Sequence, residues 1–174
     1  MWNKSLLNIT YTAIFTAIIM LATSIIKFST GLGEGYIHLG DSMIYLTACL
    51  LPFPYCIIAG ALGGGLADIL SGFAIWSIPT MLIKALNVLP FAIICKKYKS
   101  TKILSKQTIL MSVISGTITI VGYFVAECIL YSVASATLSL IGNTIQAVAS
   151  GIIFIIMATA LDKTNFKSKI SKGV

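Results

Sequence analysis

The sequence predicts an all-α integral membrane protein, a six-helix bundle formed as one domain over residues 1–174, with both termini cytoplasmic. Three observations predict it. The chain is 57% hydrophobic, only 10% charged and has a mean hydropathy of +0.99; a soluble domain of this length would expose far more charge. Six apolar runs can be drawn, at 5–27, 40–54, 56–71, 76–95, 107–132 and 138–161. All twelve cations are Lys, and ten of them fall on one side of such a bundle. These are Lys4, the cluster Lys96, Lys97, Lys99, Lys102 and Lys106, and the C-terminal group Lys163, Lys167, Lys169 and Lys172. That asymmetry is the positive-inside pattern. It accounts for the net charge of +7 without nucleic acid as a partner.

Taken in order, the first run follows MWNKSLLNIT and has no small-residue cleavage site after it, so it is expected to be a retained helix rather than a signal peptide. It carries Ala13-Ile-Phe-Thr-Ala17. Small residues four apart make a strip that another helix can approach closely. On spacing alone, packing against the protein's own helices explains that strip. The loop at 28–39 faces outward and holds the sole His, His38, which as a lone loop histidine reads as a surface residue. The second run opens on Asp41 and the third follows the break Pro52-Phe-Pro54. Both fall short of the roughly 20 residues of a straight span, so they are expected to be tilted, broken or shielded by protein.

The third run places Gly60, Gly63, Gly64, Gly65 and Ala67 before Asp68, a pattern for tight internal packing. No Gly-Lys-Ser/Thr follows, so it is not a phosphate loop. Loops at 72–75 and 133–137 are expected to face outward, and the loop between the fourth and fifth runs to face the cytoplasm. Cys49, Cys56, Cys95 and Cys128 lie singly with no Cys-x-x-Cys, so neither a disulfide framework nor a zinc site is indicated.

An ionisable group inside a bilayer is costly enough to need a reason. Asp41, Asp68, Lys84 and Glu127 are such groups. Counting about 1.5 Å per residue puts Lys84 about 12 Å deep from the outer end of its run. The other three, with Asn143 and Gln146, also fall in the outer half. Trp76, Thr80, Lys84 and Asn87 form one stripe of the fourth run. Thr119, Tyr123, Glu127 and Tyr131 repeat every four residues on the fifth, and Asn143, Gln146 and Ser150 share a face of the sixth. Three polar and aromatic stripes at one depth predict an outward-facing ligand cavity. The competing reading is structural: Lys84 paired with Glu127 or Asp68, interhelical hydrogen bonds from Asn143 and Gln146, and Trp76 and Tyr131 in an interfacial aromatic belt. A single His excludes a multi-His metal site, no Gly-x-Ser-x-Gly elbow occurs, and the acids are too few and scattered for metal-dependent phosphotransfer. A binding protein with no cofactor fits better than an enzyme.

These residues resemble the S components, the substrate-binding membrane subunits of energy-coupling-factor (ECF) vitamin transporters, in the riboflavin-type branch. The resemblance rests on Gly35-Tyr-Ile-His-Leu-Gly-Asp41, on the Gly-Gly-x-x-x-Asp-x-x-Ser-Gly pattern over residues 63–72 with Asp68 as its acid, and on the stretch 76–84. Gly122-Tyr-Phe-Val-Ala-Glu127 and Gly142-Asn-Thr-Ile-Gln146 complete it. Ile141 stands where the pattern leads one to expect Pro. The resemblance covers nearly the whole chain.

It implies a multi-pass protein of the plasma membrane that binds a vitamin or precursor from outside. It also implies docking on a transmembrane coupling protein driven by two cytoplasmic ATPases, with toppling in the membrane to carry the site across. Ala13 and Ala17 match the family's small-residue docking motif, which turns the reading of that strip toward a partner. The implied ligands are planar heteroaromatics: pyridoxine-type compounds, hydroxymethylpyrimidine or riboflavin, with a single ring favoured here. The expected ligand contacts are Tyr36, His38, Asp41, Trp76, Lys84, Asn87, Tyr123, Glu127, Asn143 and Gln146, with the loop 31–40 as a lid. The other readings open at this point are a membrane scaffold with purely structural polar residues and a solitary secondary transporter.

Overall fold

The computed structural model describes residues 4–25, 27–29, 36–98 and 100–171. Helix α1 (Lys4–Ser24) leads into a short antiparallel hairpin, β1 (Lys27–Ser29) and β2 (Tyr36–His38), in which Lys27 pairs with His38 and Ser29 with Tyr36. Then follow α2 (Gly40–Leu50), α3 (Tyr55–Leu70), a 3-10 turn (Ala74–Trp76), α4 (Ser77–Lys97), α5 (Lys106–Leu130), α6 (Val133–Lys163) and α7 (Phe166–Ser171). Among the described residues, four helices are long and apolar enough to cross a membrane: α1, α4 together with its leading 3-10 turn, α5 and α6. Helix α3 is apolar but shorter, at 16 residues.

The shortness of α2 has a packing explanation. It is 11 residues long, about 16 Å, and residues 40–42 and 44–49 are all buried. It lies against α1, α3, α4 and α6, so its sides are covered by protein rather than lipid. Its Tyr45 stacks on Phe91 of α4 at 5.0 Å, and both rings meet Phe154 of α6 edge-on. The outward faces of the long helices instead carry exposed Ile9, Leu82, Ile93, Val113 and Ile156. That is the arrangement a lipid solvent permits, because apolar side chains need not be hidden from it.

The glycines of α3 allow close helix approach. A Cβ at Gly63 would sit 2.7 Å from Ile19 of α1, and one at Gly64 would sit 2.8 Å from the Lys84 Cγ of α4. The strip therefore packs inside the bundle, as its spacing indicates. Ala13 and Ala17 do the opposite. Both are exposed on the outer face of α1, so packing among the protein's own helices does not account for them.

The structure departs from the sequence expectation in three places. Residues 133–137 are the first turns of α6 and not a loop: the Ser132 hydroxyl accepts the Ser135 N–H at 3.2 Å and starts the helix five residues early, as Ser does at an N-cap. The loop 28–39 contains the hairpin. The lysine tail folds into α7 after a turn at Asn165 (φ 54°), with Ile170 buried against the bundle. Residues 31–35 of the expected lid, with Lys99 and Lys172, lie outside the described residues.

Candidate functional site

A cavity of about 90 Å³ opens at the end of the bundle where α4 and α6 begin and α5 ends. The lysine clusters are at the other end of those same helices. Three elements supply the aromatic wall. The turn after α3, where Gly72 takes a left-handed φ of 84°, presents Phe73. Trp76 closes the 3-10 turn, and Tyr123 comes from α5. Trp76 lies 6.0 Å from Tyr123 and 5.9 Å from Tyr131, ring centre to ring centre. The Thr80 hydroxyl of α4 meets the Tyr123 hydroxyl at 3.1 Å and fixes that ring.

The polar wall comes mainly from α5 and α6. Glu127 accepts a hydrogen bond from the Ser139 hydroxyl, and both line the cavity with Asn143, Gln146 and Asp68. The Asn143 side-chain nitrogen is buried without a hydrogen-bond partner in the protein. Burying a donor unpaired costs free energy, so this amide is a donor available to a molecule entering the cavity. Gln146 is fully committed. Its oxygen accepts the His38 backbone N–H at 2.7 Å, and its nitrogen donates to the His38 carbonyl at 3.0 Å and to the Ser150 hydroxyl at 2.9 Å. It thus ties β2 to α6 with the pairing one strand would offer another.

His38 is buried rather than on the surface, a correction to the lone-loop reading. As the last residue of β2 it points inward against α6. Its Nδ1 accepts the Gly40 N–H at 3.1 Å. Burial pushes its pKa down from 6.5 to about 4, so it is neutral at pH 7.

Beneath the cavity lies a second polar layer. Lys84 donates to Asp41 at 2.5 Å, with both side chains essentially inaccessible. The pair replaces the expected pairing of Lys84 with Glu127 or Asp68. The reason is the central position of α2, which brings Asp41 in its first turn beside Lys84, where the α2 N-terminal dipole also favours a carboxylate. The Lys84 ammonium lies 5.0 Å from the Tyr123 ring centre, so this ring separates charge below from cavity above. Asn87 donates to the Thr119 hydroxyl at 2.8 Å and its carbonyl accepts from Ser115 at 2.8 Å.

The structure thus brings His38, Trp76, Tyr123, Glu127, Asn143 and Gln146 together in the cavity wall. It sets Asp41, Lys84 and Asn87 below that wall, outside it. The Tyr36 side chain lies outside the described residues. Phe73 and Ser139 are wall residues that sequence reasoning missed. Ser139 could have been found, since it falls four before Asn143 on the same α6 face; Phe73 follows a turn glycine and carries no periodic signal. Among the described residues, no group of three or more His, Cys, Asp or Glu could hold a metal ion.

Residues 3–163 match the family described as "ECF-type riboflavin transporter, S component". This chain belongs to that S-component family. It is therefore a substrate-binding transporter subunit integral to the membrane, in a family of transporters rather than enzymes. A relative from Pyrococcus woesei, described as an uncharacterized protein in the gap 3' region, is 27% identical over 135 residues, 78% of this chain and 87% of the relative. The S-component assignment gives the cavity a context: a wall of rings and hydrogen-bonding groups set at one end of a membrane bundle.

Proposed function

We propose that this S component captures a small planar vitamin or precursor from outside the cell, with a single pyridine or pyrimidine ring, for ATP-driven uptake. The observation that carries the reading is the cavity itself. It is small, it is walled by Phe73, Trp76 and Tyr123, and it holds an unpartnered Asn143 donor beside the Glu127 carboxylate. The rings stack on the ligand, while Asn143 and Glu127 bind ring nitrogens and hydroxyls. His38 and Gln146 border the ligand, and Asp41, Lys84 and Asn87 hold the floor on which Tyr123 rests. A second reading, riboflavin, is favoured by the description of the matched family; it requires the cavity to widen for three fused rings.

The exposed Ala13 and Ala17 strip docks the subunit on a transmembrane coupling protein that works with two cytoplasmic ATPases. Native mass spectrometry of gently purified protein tests the ligand, and co-purification tests the partner. A bound pyridine or pyrimidine supports the first reading and a bound flavin the second. Protein that stays empty and unstabilised by every candidate vitamin overturns both in favour of a ligand outside this set. Ala13→Leu with Ala17→Leu is expected to abolish recovery of the coupling protein while ligand affinity stays within about twofold, because the strip is remote from the cavity. Uptake into liposomes without ATP or partner would instead mark a solitary transporter.

A further inference from the structure

The lysine-rich end of the bundle carries a larger cavity, of about 610 Å³, that takes no part in the ligand site. One wall is apolar, formed by Leu50, the exposed Phe53 and Ala92 where α2 and α4 end. The rim is basic and hydroxylic, with Lys96 from the end of α4, Lys167 from α7, and Ser100 and Thr101 from the α4–α5 connector. A neighbouring cavity of about 360 Å³ shares Lys167 and Ser100 and adds Lys102.

Among the described residues, no salt bridge compensates the charge at this end. Among the described residues, Asp162 is the only acid at this end, and its two oxygens accept the backbone N–H groups of Ile103 (2.7 Å) and Leu104 (2.9 Å). No ion pair engages Lys96, Lys102 or Lys167 among the described residues. The same Asp162 bonds hold the connector in place, and buried Ile170 anchors α7. The cavity is therefore preformed, with two cations outside any ion pair, Lys96 and Lys167, over an apolar wall.

We propose that this cavity binds an anionic phospholipid. The phosphate is met by Lys96 and Lys167 with the rim hydroxyls, and an acyl chain lies along Leu50, Phe53 and Ala92. Basic pockets between helices at a membrane face are suited to such headgroups. A free phosphate would use the rim and leave the apolar wall bare, which is why the lipid is the occupant.

The test titrates delipidated full-length protein in mild detergent with phosphatidylglycerol, with phosphatidylcholine of the same acyl chains, and with inorganic phosphate. Thermal unfolding and lipid adducts in native mass spectra are the readouts. Phosphatidylglycerol is expected to stabilise the protein and survive as an adduct, where the other two do not. Lys96→Gln with Lys167→Gln is expected to weaken phosphatidylglycerol binding about 30-fold, at about fivefold per lysine. Lys4→Gln with Lys163→Gln, away from the cavity, is expected to leave it unchanged. Should the double variant unfold, Ala92→Phe fills the apolar wall without touching charge and is expected to block the lipid. The proposal is overturned if phosphatidylcholine binds equally, if phosphate alone reproduces the stabilisation, or if the folded cavity variants bind phosphatidylglycerol as the parent does.

Discussion

Asp41 and Glu127 are both carboxylates on helices of this membrane bundle, yet the fold treats them oppositely. Asp41 is wholly buried and its charge is met inside the protein by Lys84 at 2.5 Å. Glu127 is half-buried at the cavity wall, where the Ser139 hydroxyl donates to it and no cation is paired with it among the described residues. The contrast separates two jobs. A buried charge that is paired holds helices in register, whereas one left at a cavity can be met by a ligand. Tyr123 is the partition, with the Lys84 ammonium under its ring and the cavity above it.

The largest expected effect comes from breaking the lower layer. Lys84→Met leaves Asp41 as an uncompensated buried charge and is expected to cost about 3–5 kcal/mol, read by thermal or denaturant unfolding in detergent. Adding Asp41→Asn is expected to recover most of that loss, since the double variant has no stranded charge. If Lys84→Met alone were neutral, the pair would not be the register device described here.

The next effect sharpens the boundary between layers. His38 has its folded pKa lowered to about 4 from 6.5 by burial. Between those values the unfolded chain takes up a proton that the folded chain refuses. Stability is therefore complete above pH 6.5 and falls as the pH drops, by about 3 kcal/mol at pH 4. An unfolding series from pH 8 to pH 4 checks this, and His38→Gln is expected to flatten the part of the slope that belongs to His38.

The smallest effect on the fold is at the upper layer, where the cost appears in binding instead. Glu127→Gln and Asn143→Ala are each expected to weaken ligand affinity about tenfold or more, the worth of a hydrogen bond involving a charged or otherwise unpaired group. Each is expected to change stability by less than about 1 kcal/mol. Calorimetric titration of the folded variants decides it. Unchanged affinity in both would remove them from the site and turn the comparison with Asp41 into one between two structural acids.

Much of the site was legible in one dimension because helical periodicity projects onto it. The stripes through Thr80, Tyr123, Glu127, Asn143 and Gln146 lie on helix faces, and residues four apart must share a face. What periodicity cannot carry is the order of helices in space. The stripe from Thr80 to Asn87 runs down α4 through both layers, so its upper member lines the cavity while Lys84 and Asn87 lie beneath it. His38 and Phe73 come from a hairpin and a turn, where no repeat marks which way a side chain faces.

The sequence by itself determined that this is a membrane helical protein, where its glycines pack, which end carries the lysines, and which family it joins. Those properties reside in composition, in local spacing and in ordered motifs. Only the tertiary structure decided that Lys84 pairs with Asp41, 43 residues away in the chain, that Gln146 clasps His38 across 108, and that Ala13 and Ala17 face outward. Partner choice among buried charges depends on which helix fills the centre of the bundle. Here that is α2, short because protein and not lipid surrounds it, and its first turn places Asp41 beside the lysine.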